Sequence, residues 1–140
     1  LAYLVDRLAV QLLRDRLYAG RVEVKARFSD FSTFTRRAAL PFPTYSYFHL
    51  WQGAQPLLAQ LLAEKDLPLR LVGAKVEGLQ RARDLLPFFS LKDEKMTAAI
   101  GAVKERFGFS ALRSGRSMLL EELYPVEREG MVLKTASLTK

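Results

Sequence analysis

Strict two-residue alternation runs from Arg21 to Phe28 (RVEVKARF). Val22, Val24, Ala26 and Phe28 fall on one side of an extended chain, and Arg21, Glu23, Lys25 and Arg27 fall on the other. The pattern predicts a half-buried strand, with one face building a core and the other offering cations. A second extended run, Phe34 to Leu40 (FTRRAAL), follows a short polar connection and should end at Pro41-Phe42-Pro43, since neither proline can donate to a ladder. Two such neighbours would bring Lys25, Arg27, Arg36 and Arg37 together on an open sheet face or edge. After Asp66-Leu67-Pro68, a third strand is predicted over Leu69 to Glu77 (LRLVGAKVE). It would point Val72, Ala74 and Val76 at the core and Gly73 and Lys75 away from it, the glycine allowing another backbone to come close.

The helical pattern appears on either side. Residues 1 to 17 carry Leu1, Leu4, Val5, Leu8, Leu12 and Leu13 near one stripe, with Gly20 as the expected stop. The chain opens inside this element without a cap, so Leu1 reads as a cut point. A second helix is expected from about Tyr45 to Glu64, capped by Thr44, carrying Phe48, Trp51, Ala54, Leu57, Leu58, Leu61 and Leu62, and kinked or broken at Pro56. A third, from about Lys92 to Phe107, would bury Met96, Ala99, Ile100, Val103 and Phe107 and stop at Gly108, with Ser90 or Asp93 as its cap. Residues 78 to 91 read as a linker and residues 109 to 140 as mixed sequence ending in a tail. The order helix, strand, strand, helix, strand implies an α+β arrangement: a small β-sheet covered on one face by two helices, its other face exposed, plus a C-terminal helix and tail.

Composition narrows the partners. In 140 residues, 22 Lys and Arg stand against 15 Asp and Glu, a net charge of +7, and most of the excess falls before residue 92. Nucleic acid, an anionic membrane and an acidic protein all suit that balance. With no cysteine, disulfides and thiolate metal sites are excluded. No run approaches the roughly 18 apolar residues of a membrane span, and no signal-peptide pattern opens the chain, so a cytoplasmic location is expected.

Catalytic chemistry is hard to find. His49 is the single histidine and reads as a helix-surface or core-edge residue. Asp93-Glu94 and Glu121-Glu122 are adjacent pairs, which diverge on a helix, and no glycine-rich phosphate loop is present. No catalytic or metal-ligating residue is therefore expected in this chain. The cations Arg21, Lys25, Arg27, Arg36, Arg37, Arg70 and Lys75 form either a solubilising surface or a phosphate-binding one. Thr33 and Thr35 fit a strand, and their hydroxyls can also donate to phosphate oxygens. Phe28, Phe31, Phe34 and Trp51 read as core rather than as base-stacking platforms, because no aromatic recurs on the cationic face.

DFSTFTRRAAL (Asp30 to Leu40), Pro43-Thr44 and LRLVGAKVEGL (Leu69 to Leu79), in this order after the first helix and the RVEVKARF strand, resemble the little-finger domain of Y-family DNA polymerases of the bacterial DNA polymerase IV and V type. The likeness covers about residues 1 to 80, and RFGFSALRSG (Arg106 to Gly115) is similar to the family's C-terminal region. The resemblance implies a domain that grips primer-template DNA by its backbone during translesion synthesis. By position it points to Thr35, Arg36, Arg37, Arg70, Gly73 and Lys75 as DNA contacts, beside Lys25, Arg27 and Thr33. The palm, thumb and fingers are absent, and with them the carboxylates that would hold Mg2+. The first strand that family members carry before this helix is absent too.

Bacterial members also carry a sliding-clamp peptide beyond this domain. Leu85, Leu86, Phe88 and Phe89 sit at that place without its glutamine, and they read equally as a hydrophobic linker packing on the third helix. The domain organisation expected is a DNA-binding domain over 1–80, a linker with the clamp peptide over 81–91, and a helix and tail over 92–140. Two other classes remain open: an RNA-binding or ribosome-associated α+β module, and a protein-binding adaptor.

Overall fold

The structure is a computed structural model that describes residues 1–81, 91–116 and 118, and of residues 91–94 the backbone alone. Its elements are α1 (Ala2–Asp15), β1 (Leu17–Phe28), β2 (Thr33–Thr44), α2 (Tyr47–Leu62), β3 (Leu69–Glu77), β4 (Gln80–Arg81) and α3 (Leu91–Phe107), followed by a 3-10 turn at Phe109–Ala111. By contacts the chain divides into two units, Leu1–Thr97 and Ala98–Lys140.

In the first unit β1 is the central strand, antiparallel to β2 on one side and to β3 on the other. Its apolar side is the middle of the core: Val22, Val24, Ala26 and Phe28 are fully buried. Val5, Ala9 and Leu12 of α1 and Leu50, Ala54, Leu57 and Leu61 of α2 pack on them. Both helices thus cover the same sheet face, and the fold is α+β as the periodicity predicts. Helix α2 buries Leu50 rather than the expected Phe48 and Leu62, which are exposed. Its close seat on the sheet depends on Gly53, where a Cβ would stand 2.9 Å from both Leu40 Cδ2 and Val22 Cγ1.

Several boundaries differ from the sequence expectation for identifiable reasons. Helix α1 ends at Asp15 because Arg16 takes the left-handed conformation (φ 54°) and its N–H closes the last turn on Leu12 and Leu13. Gly20, expected as the stop, lies inside β1. There its N–H donates to the Gly78 carbonyl at 3.2 Å, and a Cβ on Gly20 would crowd that oxygen at 3.3 Å. Gly78 itself has φ 64°, turning the chain so that Gln80 and Arg81 pair with Tyr18 and Leu17. Residues read as the start of a linker therefore extend the sheet.

Strand β2 runs through Pro41 and Pro43 to Thr44. It lies on the sheet edge, and its pairing to β1 is interrupted between Ala39 and Thr44, so neither proline is asked for a ladder hydrogen bond. Ser46, rather than Thr44, holds the cap position of α2, and the Thr44 hydroxyl accepts from the Ser46 N–H at 3.0 Å in a local turn. Helix α2 is continuous through Pro56. In α3 the side chains expected inside are largely outside: Met96 is 53% and Phe107 65% exposed, whereas Thr97 and Lys104 are buried. Within the second unit the Lys104 ammonium lies 4.2 Å from the Phe109 ring centroid. Gly108 follows the helix as expected, but its φ of 92° and ψ of 157° lie outside the left-handed helical conformation that usually closes a helix.

Candidate functional site

The uncovered face of the sheet carries most of the predicted site. In antiparallel pairs, residues directly opposite share a face. The register across β2, β1 and β3 therefore gives rows Thr33–Arg27–Leu71, Thr35–Lys25–Gly73, Arg37–Glu23–Lys75 and Ala39–Arg21–Glu77. Arg21, Lys25, Arg27, Arg37 and Lys75 gather on one surface with Thr33 and Thr35 among them. All of these side chains are exposed.

Local contacts give this surface its shape. Arg27 Nε donates to Thr33 Oγ1 at 3.0 Å, fixing the guanidinium along its row. Gly73 sits beside Lys25, where a Cβ would meet nothing closer than 3.8 Å. The protein could hold a side chain there, and its absence leaves a low point between cations. Lys75 donates to Glu77 Oε1 at 2.7 Å. That bond raises the Lys75 pKa and lowers that of Glu77, with Glu23 adding to the former. The acids are an internal counterweight: Lys75 is bonded to Glu77 and Glu23 stands between Arg37 and Lys75, whereas the Lys25 row holds no acid.

Two predicted contacts lie elsewhere. Arg36 is opposite Val24, on the helix-covered side, and from the sheet edge it forms an ion pair with Glu64 just past α2. Adjacent strand residues face opposite ways, so Arg36 and Arg37 could not both join one surface. Arg70 is at the end of β3, its guanidinium 4.7 Å from the Phe31 ring centroid. Phe31 was expected in the core, yet it is 62% exposed in the β1–β2 turn with φ 65°. Phe28 is buried, and Phe34 and Trp51 pack partly against the core as predicted. The clamp-peptide residues Leu85, Leu86, Phe88 and Phe89 fall outside the described residues.

The turn that carries Phe31 is tied down from two sides. Asp30 accepts from the Ser32 N–H (3.0 Å) and hydroxyl (2.6 Å), and Lys65 donates to its other oxygen at 2.6 Å. The Lys65 bond, followed by those from Ser32, holds the Asp30 carboxyl down at about 2. Ser29 N–H adds a bond to the Pro68 carbonyl at 2.9 Å, so the β1–β2 turn and the α2–β3 loop form one tip.

His49 is half-buried, edge-on to Phe42 and Phe48, with Nδ1 3.5 Å from the Thr44 hydroxyl. Among the described residues, no group of three or more His, Asp or Glu could hold a metal ion, and no helix is long and apolar enough to cross a membrane.

A two-layer α+β domain with one basic, exposed sheet face belongs to the class of modules that present a charged surface to a partner. Residues 1–85 match the impB/mucB/samB family C-terminal domain, and the chain belongs to that family, the Y-family polymerase domain anticipated from its motifs. Curated relatives agree. It is 28% identical over 127 residues to a DNA polymerase IV of Dehalococcoides mccartyi (strain 195), covering 89% of this chain and 32% of the relative. It is 32% identical over 120 residues to that of Caulobacter vibrioides (82% and 29%), and 35% over 91 residues to that of Halorhodospira halophila (61% and 24%). The chain spans about a third or less of the length of these relatives.

Proposed function

We propose that this domain grips primer-template DNA for a DNA polymerase IV-like translesion enzyme, holding the sugar-phosphate backbone on its open sheet face. The observation that carries the reading is the convergence of Lys25, Arg27 and Arg37 with Thr33 and Thr35 on one exposed surface whose reverse side is the hydrophobic core. Cations and hydroxyls on an open sheet face suit phosphate oxygens and carry little base information, which fits a polymerase that must act at any sequence. Membership of the family supports the assignment. Catalysis, with its Mg2+, belongs in this reading to the rest of the enzyme, acting in the cytoplasm in DNA damage repair.

The test is a fluorescence anisotropy titration at several salt concentrations. Arg37→Ala should weaken duplex binding equally for unrelated sequences and lower the salt slope by about one unit. Competition with RNA duplex of equal length separates this reading from an RNA-binding module, since DNA is expected to win. The same proposal extends to tethering by a bacterial sliding clamp through Leu85, Leu86, Phe88 and Phe89, whose apolar side chains would be the anchors. Phe88→Ala and Phe89→Ala together should abolish capture by purified clamp while leaving DNA affinity unchanged.

A further inference from the structure

We propose that Phe31, with Arg70 against its ring, is a stacking platform for an unpaired base of the DNA strand held on the sheet face. This rests on the phosphate-gripping reading and adds to it a subsite for single-stranded template.

Phe31 lies with its ring outside the hydrophobic core, in contact with the Arg70 guanidinium. Its ring is 62% exposed even with the Arg70 guanidinium 4.7 Å from the centroid. Its backbone stands at φ 65°, a region that bulky L-residues enter at a cost and that Gly or Asn occupies more readily. The turn is already defined by the bonds of Asp30 to Ser32 and Lys65, none of which involves the aromatic side chain. Exposure alone is ordinary, but a large apolar ring held at a positive φ is a backbone outlier of the kind that gathers at binding sites.

The surroundings identify the class of ligand. Arg27, on the basic face, donates to Thr33 Oγ1, which is in turn 3.5 Å from the Phe31 carbonyl, so the turn is the direct continuation of the cationic rows. Leu71, paired with Arg27 at the end of the same open face, is exposed as well. An aromatic ring with a guanidinium on it and cations leading up to it matches a nucleobase attached to phosphates better than a protein surface. Every base offers a π-face to such a ring, and the guanidinium adds a cation–π partner.

The experiment compares this chain binding to two DNAs with the same number of phosphates, a blunt duplex and a primer-template with 2-aminopurine in its single-stranded overhang. Phe31→Ala and Phe31→Asn, the second suited to the left-handed turn, should each weaken overhang binding by roughly 5- to 150-fold and remove the 2-aminopurine quenching. Blunt-duplex affinity and the salt slope should not move, and Phe31→Trp should bind as wild type does. Overhang affinity and quenching that survive in both Ala and Asn variants would overturn the proposal while leaving the phosphate grip intact, and would give the tip to a protein partner instead. Loss of equal size on both DNAs would also overturn it. Failure of the wild type to bind either DNA would remove the grip and the subsite together.

Discussion

Arg36 and Arg37 are consecutive in β2 and stand on opposite faces of the sheet, Arg36 across from Val24 and Arg37 across from Glu23. The first reaches Glu64 just past α2, and the second joins Lys25 and Arg27 on the open face. Their substitutions should therefore separate. Arg36→Ala is expected to lower stability by about 0–1 kcal/mol, the range for an exposed ion pair, with DNA affinity nearly unchanged. Arg37→Ala should do the reverse. Thermal melts and anisotropy titrations on the two variants check this, and equal effects on DNA would remove the distinction.

Glu77 restrains Lys75. Because that bond raises the Lys75 pKa and lowers that of Glu77, the ion pair competes with any phosphate for the ammonium. Glu77→Gln should bind duplex DNA more tightly at low salt and steepen the salt slope by up to about one unit. A variant no tighter than wild type would exclude Lys75 from the contact surface.

Gly53 sets the distance between α2 and the sheet. Alanine improves helix propensity by about 1 kcal/mol. However, its Cβ would lie 2.9 Å from Val22 Cγ1, a stiff, fully buried side chain, as well as from the more yielding Leu40 Cδ2. Overpacking of this kind costs about 1–3 kcal/mol, so Gly53→Ala should be less stable in urea unfolding. A higher midpoint would show that the layer can yield there.

The Asp30–Lys65 clasp has a defined pH window. Its carboxyl is held at about 2 against an ordinary 3.8, so its contribution to stability is complete above about pH 3.8 and is lost as pH falls toward 2. NMR titration should find the Asp30 midpoint near the lower value, and Lys65→Ala should move it up. An unshifted midpoint in the wild type would mean the tip is not clasped in solution.

Much of this was legible in the sequence. The alternation from Arg21 to Phe28 fixed both faces of β1 because a strand has only two sides, and the same rule seats Gly73 and Lys75 outward. It also separates Arg36 from Arg37, a consequence that grouping the cations by composition overlooked. Phe31 was misplaced because aromatic residues are usually buried, and only turn geometry reveals that this one is not; its position after Asp30, with Ser32 completing the turn, was the available clue. Local signals misled where tertiary context overrode them. Pro41 and Pro43 fit an interrupted edge strand, Gly20 serves contact with Gly78 rather than a helix stop, and α3 turns Met96 and Phe107 outward while burying Lys104 beside Phe109.

The central claim is that Lys25, Arg27 and Arg37 act together on the phosphate backbone. The direct measurement is the salt dependence of duplex affinity for the triple alanine variant beside wild type and Arg36→Ala. The slope should fall by about three units in the triple variant and stay at the wild-type value in Arg36→Ala. A triple variant with the wild-type slope would place the DNA elsewhere on the molecule.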